Sequence, residues 1–361
     1  MTRFLLRLAL ALSLASVAAT PGRAADTGPL PVRGIHLMAP LPADIDAVLR
    51  LIREGLPKEG VNVLVLEVDY RYQFARHPEV AEKDALTREQ LRAIADACRD
   101  AGLRLIPQIN MLGHQSWEKK TGGLLASHPE LDETPGLYPE NAGIYCRSYC
   151  PLHPGTHPLV FDLIDELAEV TGADAFHVGM DEVFLLGEDA CPRCRGKNKA
   201  ELFAGEVTAL HDHLQKTGRQ TWMWGDRFLD ASVTGHEWEG SRNGTAPAIT
   251  MVPRDVVICD WHYENAVPTA AHFALFGFPV VYAPWRQPGV ALAELEAIRH
   301  ARRNSPYPLD SRFLGVLHTT WTASGDFARA YFGEGTVNPH VAEIALTFKE
   351  LFRSLRDGGL R

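Results

Sequence analysis

An α/β fold of the (β/α)8 TIM-barrel type is predicted by three features of this 361-residue sequence. Eight short apolar runs rich in β-branched residues recur along it, amphipathic stretches separate them, and polar residues gather where the runs end. Apolar strands joined by helices belong to a parallel sheet buried on both faces. Eight such units close a barrel whose chemistry lies at the C-terminal ends of its strands. A doubly wound sheet is the competing arrangement, but it has no need of eight units.

Residues 1–25 precede the first run. They carry Arg3 and Arg7, an apolar stretch of small residues over 8–20, and then Ala24 and Ala25. This order reads as the n-region, h-region and cleavage site of a secretory signal peptide. A membrane anchor is the other reading, for which the run is short. The expected organisation is a signal peptide over 1–25 and one barrel domain over 26–361, exported to the periplasm or the extracellular space. No later stretch approaches ~18 consecutive apolar residues, so no stable membrane insertion is expected.

The strand-like runs are 32–38, 61–69, 103–110, 173–180, 219–225, 256–261, 278–285 and 313–321. Helical patterns fill 45–53, 87–100, 158–170, 200–216, 291–303 and 341–356. In the second of these, Leu91, Ile94, Ala95 and Cys98 fall on one stripe of period 3.6. The composition, 46% hydrophobic and 22% charged, is that of a globular chain and excludes disordered, collagen-like and coiled-coil classes. The formal charge is -9 with no basic stripe, so nucleic acid is not an expected partner.

Six cysteines are present. Cys146 and Cys150 form a C-x3-C pair and Cys191 and Cys194 a C-x2-C pair, while Cys98 and Cys259 read as small buried hydrophobes. Export favours a disulfide among the four clustered cysteines, a four-cysteine structural zinc site being the alternative. The pairing stays open at this point.

Polar and aromatic residues mark the strand ends. The second run closes on Glu67 and Asp69, and the third leads to Asn110 and His114. The fourth ends in Asp181-Glu182, and the fifth in Trp224-Gly225-Asp226. The last three end in Trp261-His262-Tyr263, Trp285-Arg286 and Trp321. Four of the seven tryptophans thus lie on one predicted rim beside an acidic pair. One alone reads as core. Four beside carboxylates suit a sugar, whose C–H faces stack on rings while carboxylates take its hydroxyls and protonate a leaving oxygen.

With these residues in place, the sequence resembles glycoside hydrolase family 20, the β-N-acetylhexosaminidases. His177-Val178-Gly179-Met180-Asp181-Glu182-Val183 is similar to that family's H-[IL]-G-G-D-E-V, and Pro107–His114 resembles P-E-I-D-x-P-G-H. Arg33-Gly34 resembles the family's sugar-gripping Arg-Gly, and Ala283-Pro284-Trp285 its A-P-W stretch. The matches run in family order from about 32 to 325, and the accessory domain that often precedes the barrel is not expected here.

The resemblance implies a glycoside hydrolase acting on β-linked N-acetylglucosamine or N-acetylgalactosamine in a glycan substrate, without a cofactor. It implies substrate-assisted, retaining catalysis in which the 2-acetamido carbonyl attacks C1. Glu182 is then the acid and base, Asp181 holds the acetamido N–H, and His114 with Asp69 forms a relay that tunes Glu182. Arg33, Trp224, Trp261 and Trp321 are implied sugar contacts, along with Trp285.

Two departures stand out. Arg286-Gln287-Pro288 stands where the family has Tyr-Leu-Asp after A-P-W, and Trp321-Thr322-Ala323 stands where it has W-x-E, so both acids are missing. Tyr282 and Tyr263 are the expected substitutes for the missing phenol, and Arg286 the expected source of altered specificity. A non-catalytic glycan-binding barrel and a metal protein built on the cysteines are the competing functions. The oligomeric state is not legible.

Overall fold

The computed structural model describes residues 29–358, so the expected signal peptide over 1–25 lies outside the described residues. Eight parallel strands close into a barrel: β1 (Val32–Met38), β2 (Val63–Glu67), β3 (Arg104–Met111), β4 (Ala175–Gly179), β5 (Gln220–Trp224), β6 (Val257–Asp260), β7 (Val280–Tyr282) and β8 (Phe313–Thr319). Each pairs in parallel with its sequence neighbours, and β1 pairs with β8 to complete the ring. All eight predicted runs are strands, trimmed at their ends where the chain turns into loops.

The alternation of β-strand side chains divides the core in two. Val32, Val63, Val65, Ile106, Trp222, Trp224, Val257, Cys259, Val281 and Leu317 fill the barrel. Ile35, Leu37, Leu64, Leu66, Val280 and Tyr282 pack in the layer between strands and helices. The helices of that layer are α1 (Ile45–Arg50), α2 (Arg88–Asp100), α3 (Thr156–Thr171), α4 (Lys199–Gln215), α5 (Thr269–Leu275), α6 (Pro288–Asn304), α7 (Ser324–Phe332) and α8 (Pro339–Asp357).

Local sequence explains the boundaries. Thr87 opens α2 with a reciprocal cap: its Oγ1 accepts from Gln90 N at 3.2 Å and Gln90 Oε1 accepts from Thr87 N at 2.9 Å. The α2 stripe of Leu91, Ile94, Ala95 and Cys98 is buried, as its period requires. After β5 no long helix forms. Three short helical pieces, Asp226–Phe228, Ala231–Thr234 and Ala246–Thr250, carry the chain to β6. Among the described residues, no helix is long and apolar enough to cross a membrane.

Candidate active site

The rim at the strand C-termini is built on strained backbone. Asp69, His114, Met180, Glu182 and Trp321 all hold positive φ, between 38° and 73°. Such left-handed conformations cost about 1–3 kcal/mol each in non-glycine residues and gather at functional sites. Gly179 shows why the chain leaves β4 as it does: its φ is +66°, and a Cβ there would lie 2.3 Å from Asn110 Oδ1. Gly113 is fixed by proximity too, since its Cβ would meet Asp181 O at 2.9 Å. The loops after β3 and β4 therefore lie against each other.

That contact assembles the acidic pair and the histidine. His114 Nε2 stands 3.2 Å from Asp181 Oδ2 and 3.1 Å from Glu182 Oε2. Burial works against a charged imidazole, but the charges of the two carboxylates outweigh it and raise His114 well above its usual range. Glu182 N donates to Asp226 Oδ2 at 3.0 Å, and Arg227 Nε donates to the same oxygen at 2.6 Å. Asp226 and Arg227 are buried, so the backbone that carries Glu182 rests on a fixed ion pair. Asp181 Oδ1 is buried and without a protein partner, leaving one acceptor for a bound group.

Aromatic rings enclose the acids. Trp321 Nε1 donates to Tyr263 Oη at 2.6 Å, Tyr263 stacks on Trp261 at 5.0 Å and meets Trp285 edge-on at 5.3 Å. Trp224 lies 5.7 Å from Trp321. Burial raises the Tyr263 phenol, with Asp181 and Glu182 near enough to add to the shift. Trp285 Nε1 donates to Thr320 O, and the Arg286 guanidinium lies over the Trp285 ring at 4.6 Å. Arg286 also stands 3.4 Å from Glu264, which offsets its charge.

Two expected site residues fall elsewhere. Arg33 sits near the start of β1, at the opposite end of the barrel, and donates to Gly60 O and Leu30 O. A strand's second residue cannot reach the C-terminal rim, so Arg33 is not a sugar contact. Tyr282 faces the helix layer between the interior residues Val281 and Ala283, and its hydroxyl donates to Val267 O at 2.8 Å. Of the two candidate phenols, only Tyr263 lies with the acids.

Asp69 does not form the expected direct relay with His114. Its carboxylate instead accepts from Asn110 N at 2.8 Å. Burial first, and the charge of Glu67 second, push Asp69 up to about 7 against the pull of the Asn110 N–H and His114. The link that remains between them is the charge of His114, which pulls Asp69 down.

Several residues at the rim were not singled out by the sequence. His36 points inward from β1 and meets Glu67 Oε2 at 2.9 Å, and Gln108 Nε2 donates to that same oxygen at 3.0 Å. Strand alternation together with a position near the end of β1 was the available signal for His36. Tyr145, in the long loop after β3, lies near the Glu182 carboxylate; burial and that charge raise its phenol. Its ring packs edge-on with Trp117 at 5.3 Å and Trp238 at 5.1 Å, and both tryptophans are 55% exposed. Nothing in the sequence pattern links these three loops.

The expected disulfide is not formed: all six cysteines are unbridged. Cys146 also leaves the expected cluster, its Sγ donating to Glu182 O at 3.5 Å. Cys98 and Cys259 are buried in the apolar core, as expected.

The sequence profile described as "Glycosyl hydrolase family 20, catalytic domain" matches residues 64–288. The chain belongs to glycosyl hydrolase family 20. The matched segment of this family 20 barrel runs from β2 to the first residue of α6, leaving β1 and β8 outside it. A beta-hexosaminidase of Porphyromonas gingivalis is 28% identical over 281 residues, 67% of this chain and 35% of that protein. Hexosaminidase D of Bos taurus is 26% identical over 191 residues, 51% of each chain. A beta-hexosaminidase of Vibrio furnissii is covered to 39%, so the chain spans little more than a third of these two bacterial relatives. The solved chitobiase of Flavobacterium johnsoniae superposes with a TM-score of 0.61 at 20% identity, over 92% of this chain and 52% of that one. A solved beta-N-acetylhexosaminidase superposes with a TM-score of 0.63 at 16% identity, over 91% and 76%. These superpositions support the barrel.

Proposed function

We propose that this family 20 barrel is a retaining glycosidase that removes β-linked N-acetylhexosamine from glycans by substrate-assisted catalysis. The observation that carries the reading is the Asp181–Glu182 pair, with His114 Nε2 within 3.2 Å of both carboxylates and an aromatic wall around them. The names of the relatives, hexosaminidases throughout, point to the same sugar class.

The steps follow from charge and geometry. The acetamido oxygen attacks C1 as the bond to the leaving oxygen breaks, and Glu182 gives that oxygen its proton. Positive charge grows on the forming oxazolinium ring, where the anionic Asp181 holds the N–H. The cationic His114 stabilises the carboxylate that Glu182 becomes. Water then attacks C1, Glu182 takes its proton, and the ring reopens to the acetamide. Two inversions at C1 restore the β configuration. Export, which the arrangement of residues 1–25 supports, is part of the reading and is tested by sequencing the N-terminus of secreted protein.

Proton NMR of a fresh reaction on a chromogenic β-N-acetylglucosaminide tests the mechanism. The β-anomer of the free sugar is expected first, and initial release of the α-anomer contradicts the reading. Pro288 and Ala323, standing where acids are expected, favour a second reading as a glycan-binding barrel without turnover. Sugar binding with no release of aglycone would decide for it.

A further inference from the structure

The loops after β3 and β4 meet a second time, in a buried cluster away from the acidic pair. Cys150 Sγ lies 3.5 Å from Cys191 Sγ and 3.5 Å from Cys194 Sγ. Glu133 completes the group: one donor atom from each of Glu133, Cys150, Cys191 and Cys194 lies within 4.8 Å of all the others. All four residues are at most 1% exposed. Glu133 Oε1 accepts the backbone N–H groups of Gly187 and Glu188 at 2.7 and 3.2 Å, whereas Glu133 Oε2 is buried with no partner.

A disulfide does not account for this arrangement. It would need Sγ atoms about 2.05 Å apart and would join two sulfurs, leaving a third thiol beside an orphaned carboxylate oxygen. A tetrahedral zinc ion does account for it: zinc–sulfur bonds of about 2.3 Å place sulfurs about 3.7 Å apart, and a carboxylate oxygen fills the fourth position. The Cys191-Pro192-Arg193-Cys194 turn is already shaped for a metal, with Cys194 N donating to Cys191 Sγ at 3.4 Å. A cation also removes the cost of an uncompensated buried carboxylate.

We propose that Glu133, Cys150, Cys191 and Cys194 bind one structural zinc ion. Binding displaces the protons of three thiols to solvent and transfers no electrons. Four protein ligands leave no open position, so the ion ties loops together and does not act on substrate. It ties the loop that bears Tyr145 to the loop that follows Glu182, and Thr156 Oγ1, which donates to Cys150 O at 2.8 Å, fastens the site to α3.

Elemental analysis of the full chain, expressed with zinc supplied and then gel-filtered, tests this. One zinc per chain is expected, with six thiols titrating only after denaturation in chelator. Glu133→Gln and Cys191→Ser should each lower zinc to a small fraction of one, while Cys98→Ser retains it. Should a ligand variant fail to fold, exchange of wild-type protein with cobalt(II) gives a second reading. Tetrahedral thiolate coordination then shows intense visible d–d bands and a sulfur-to-cobalt charge-transfer band. Folded protein without stoichiometric metal and with Cys150 in a disulfide would overturn the proposal. So would iron in place of zinc, zinc retained in both ligand variants, or a cobalt spectrum without thiolate charge transfer.

Discussion

His114 Nε2 lies 3.1 Å from Glu182 Oε2, and both residues hold left-handed backbone, with φ of 54° and 48°. Each side chain reaches the other from a different loop, and the close approach of Gly113 to Asp181 O brings the loops together. Strained backbone on both sides holds a cation against two acids that would otherwise repel each other.

Glu182→Gln is expected to keep the fold and lose about 10²–10⁴-fold in kcat on a substrate with a poor leaving group, the range typical of proton donation. Near-UV circular dichroism reports the fold and steady-state kinetics the loss. Turnover equal to wild type would remove Glu182 from the acid role.

His114 is held protonated above its usual range by Asp181 and Glu182, against the effect of burial. Activity is therefore expected to persist well above pH 6.5 and to fall as pH passes the raised value. In His114→Gln that alkaline limb should disappear, with kcat/KM lower across the whole range. An unchanged pH profile in the variant would show that His114 does not tune the acid.

His262, 1% exposed, lies between Glu239 Oε2 at 2.6 Å and Asp260 Oδ1 at 3.2 Å. Burial opposes its charge, but Asp260 and Glu239 raise it to about 10. The folded value exceeds the unfolded one, so the stabilisation is complete below pH ~6.5 and is lost as pH rises through about 10. His262→Gln should destabilise by about 3–5 kcal/mol at pH 6, the cost of breaking a buried ion pair. The gap in thermal unfolding should narrow toward pH 10; a gap independent of pH counts against the charged pair.

The exposed rings of Trp117 and Trp238 flank Tyr145, whose phenol lies near Glu182, the group that would serve the leaving oxygen. Trp238→Ala is expected to raise KM for an oligosaccharide about 2–10-fold, from ~0.5–1.5 kcal/mol of stacking. A small aryl glycoside should be unaffected. Equal effects on both substrates would place the ring outside the path of the leaving sugar.

The strands and the acidic pair were legible because both are local. Continuous apolar runs are strands where the barrel interior covers one face and helices cover the other, and Asp181-Glu182 stands at the end of one. Arg33 was misplaced because a dipeptide was read without its position along the strand; β1 had Arg33 near its start and His36 near its end. The segment matched by the family profile begins only at residue 64. Tyr282 was misplaced by face: Val281 and Ala283 point inward, so alternation turns the residue between them outward. Glu133 carried no local signal at all. It joins Cys150, Cys191 and Cys194 only because two loops fold together, and the spacing of the cysteines alone enlisted Cys146 in its stead.

The most direct test compares kcat/KM for a chromogenic β-N-acetylglucosaminide with that for the matching β-glucoside. If the 2-acetamido group is the nucleophile, removing it removes a reactant held in place at an effective molarity of ~10⁵–10⁸ M. The N-acetyl substrate is then expected to react more than about 10³-fold faster, and Asp181→Asn should erase most of that advantage. Comparable rates on the two substrates would contradict substrate assistance and leave Glu182 without its internal nucleophile.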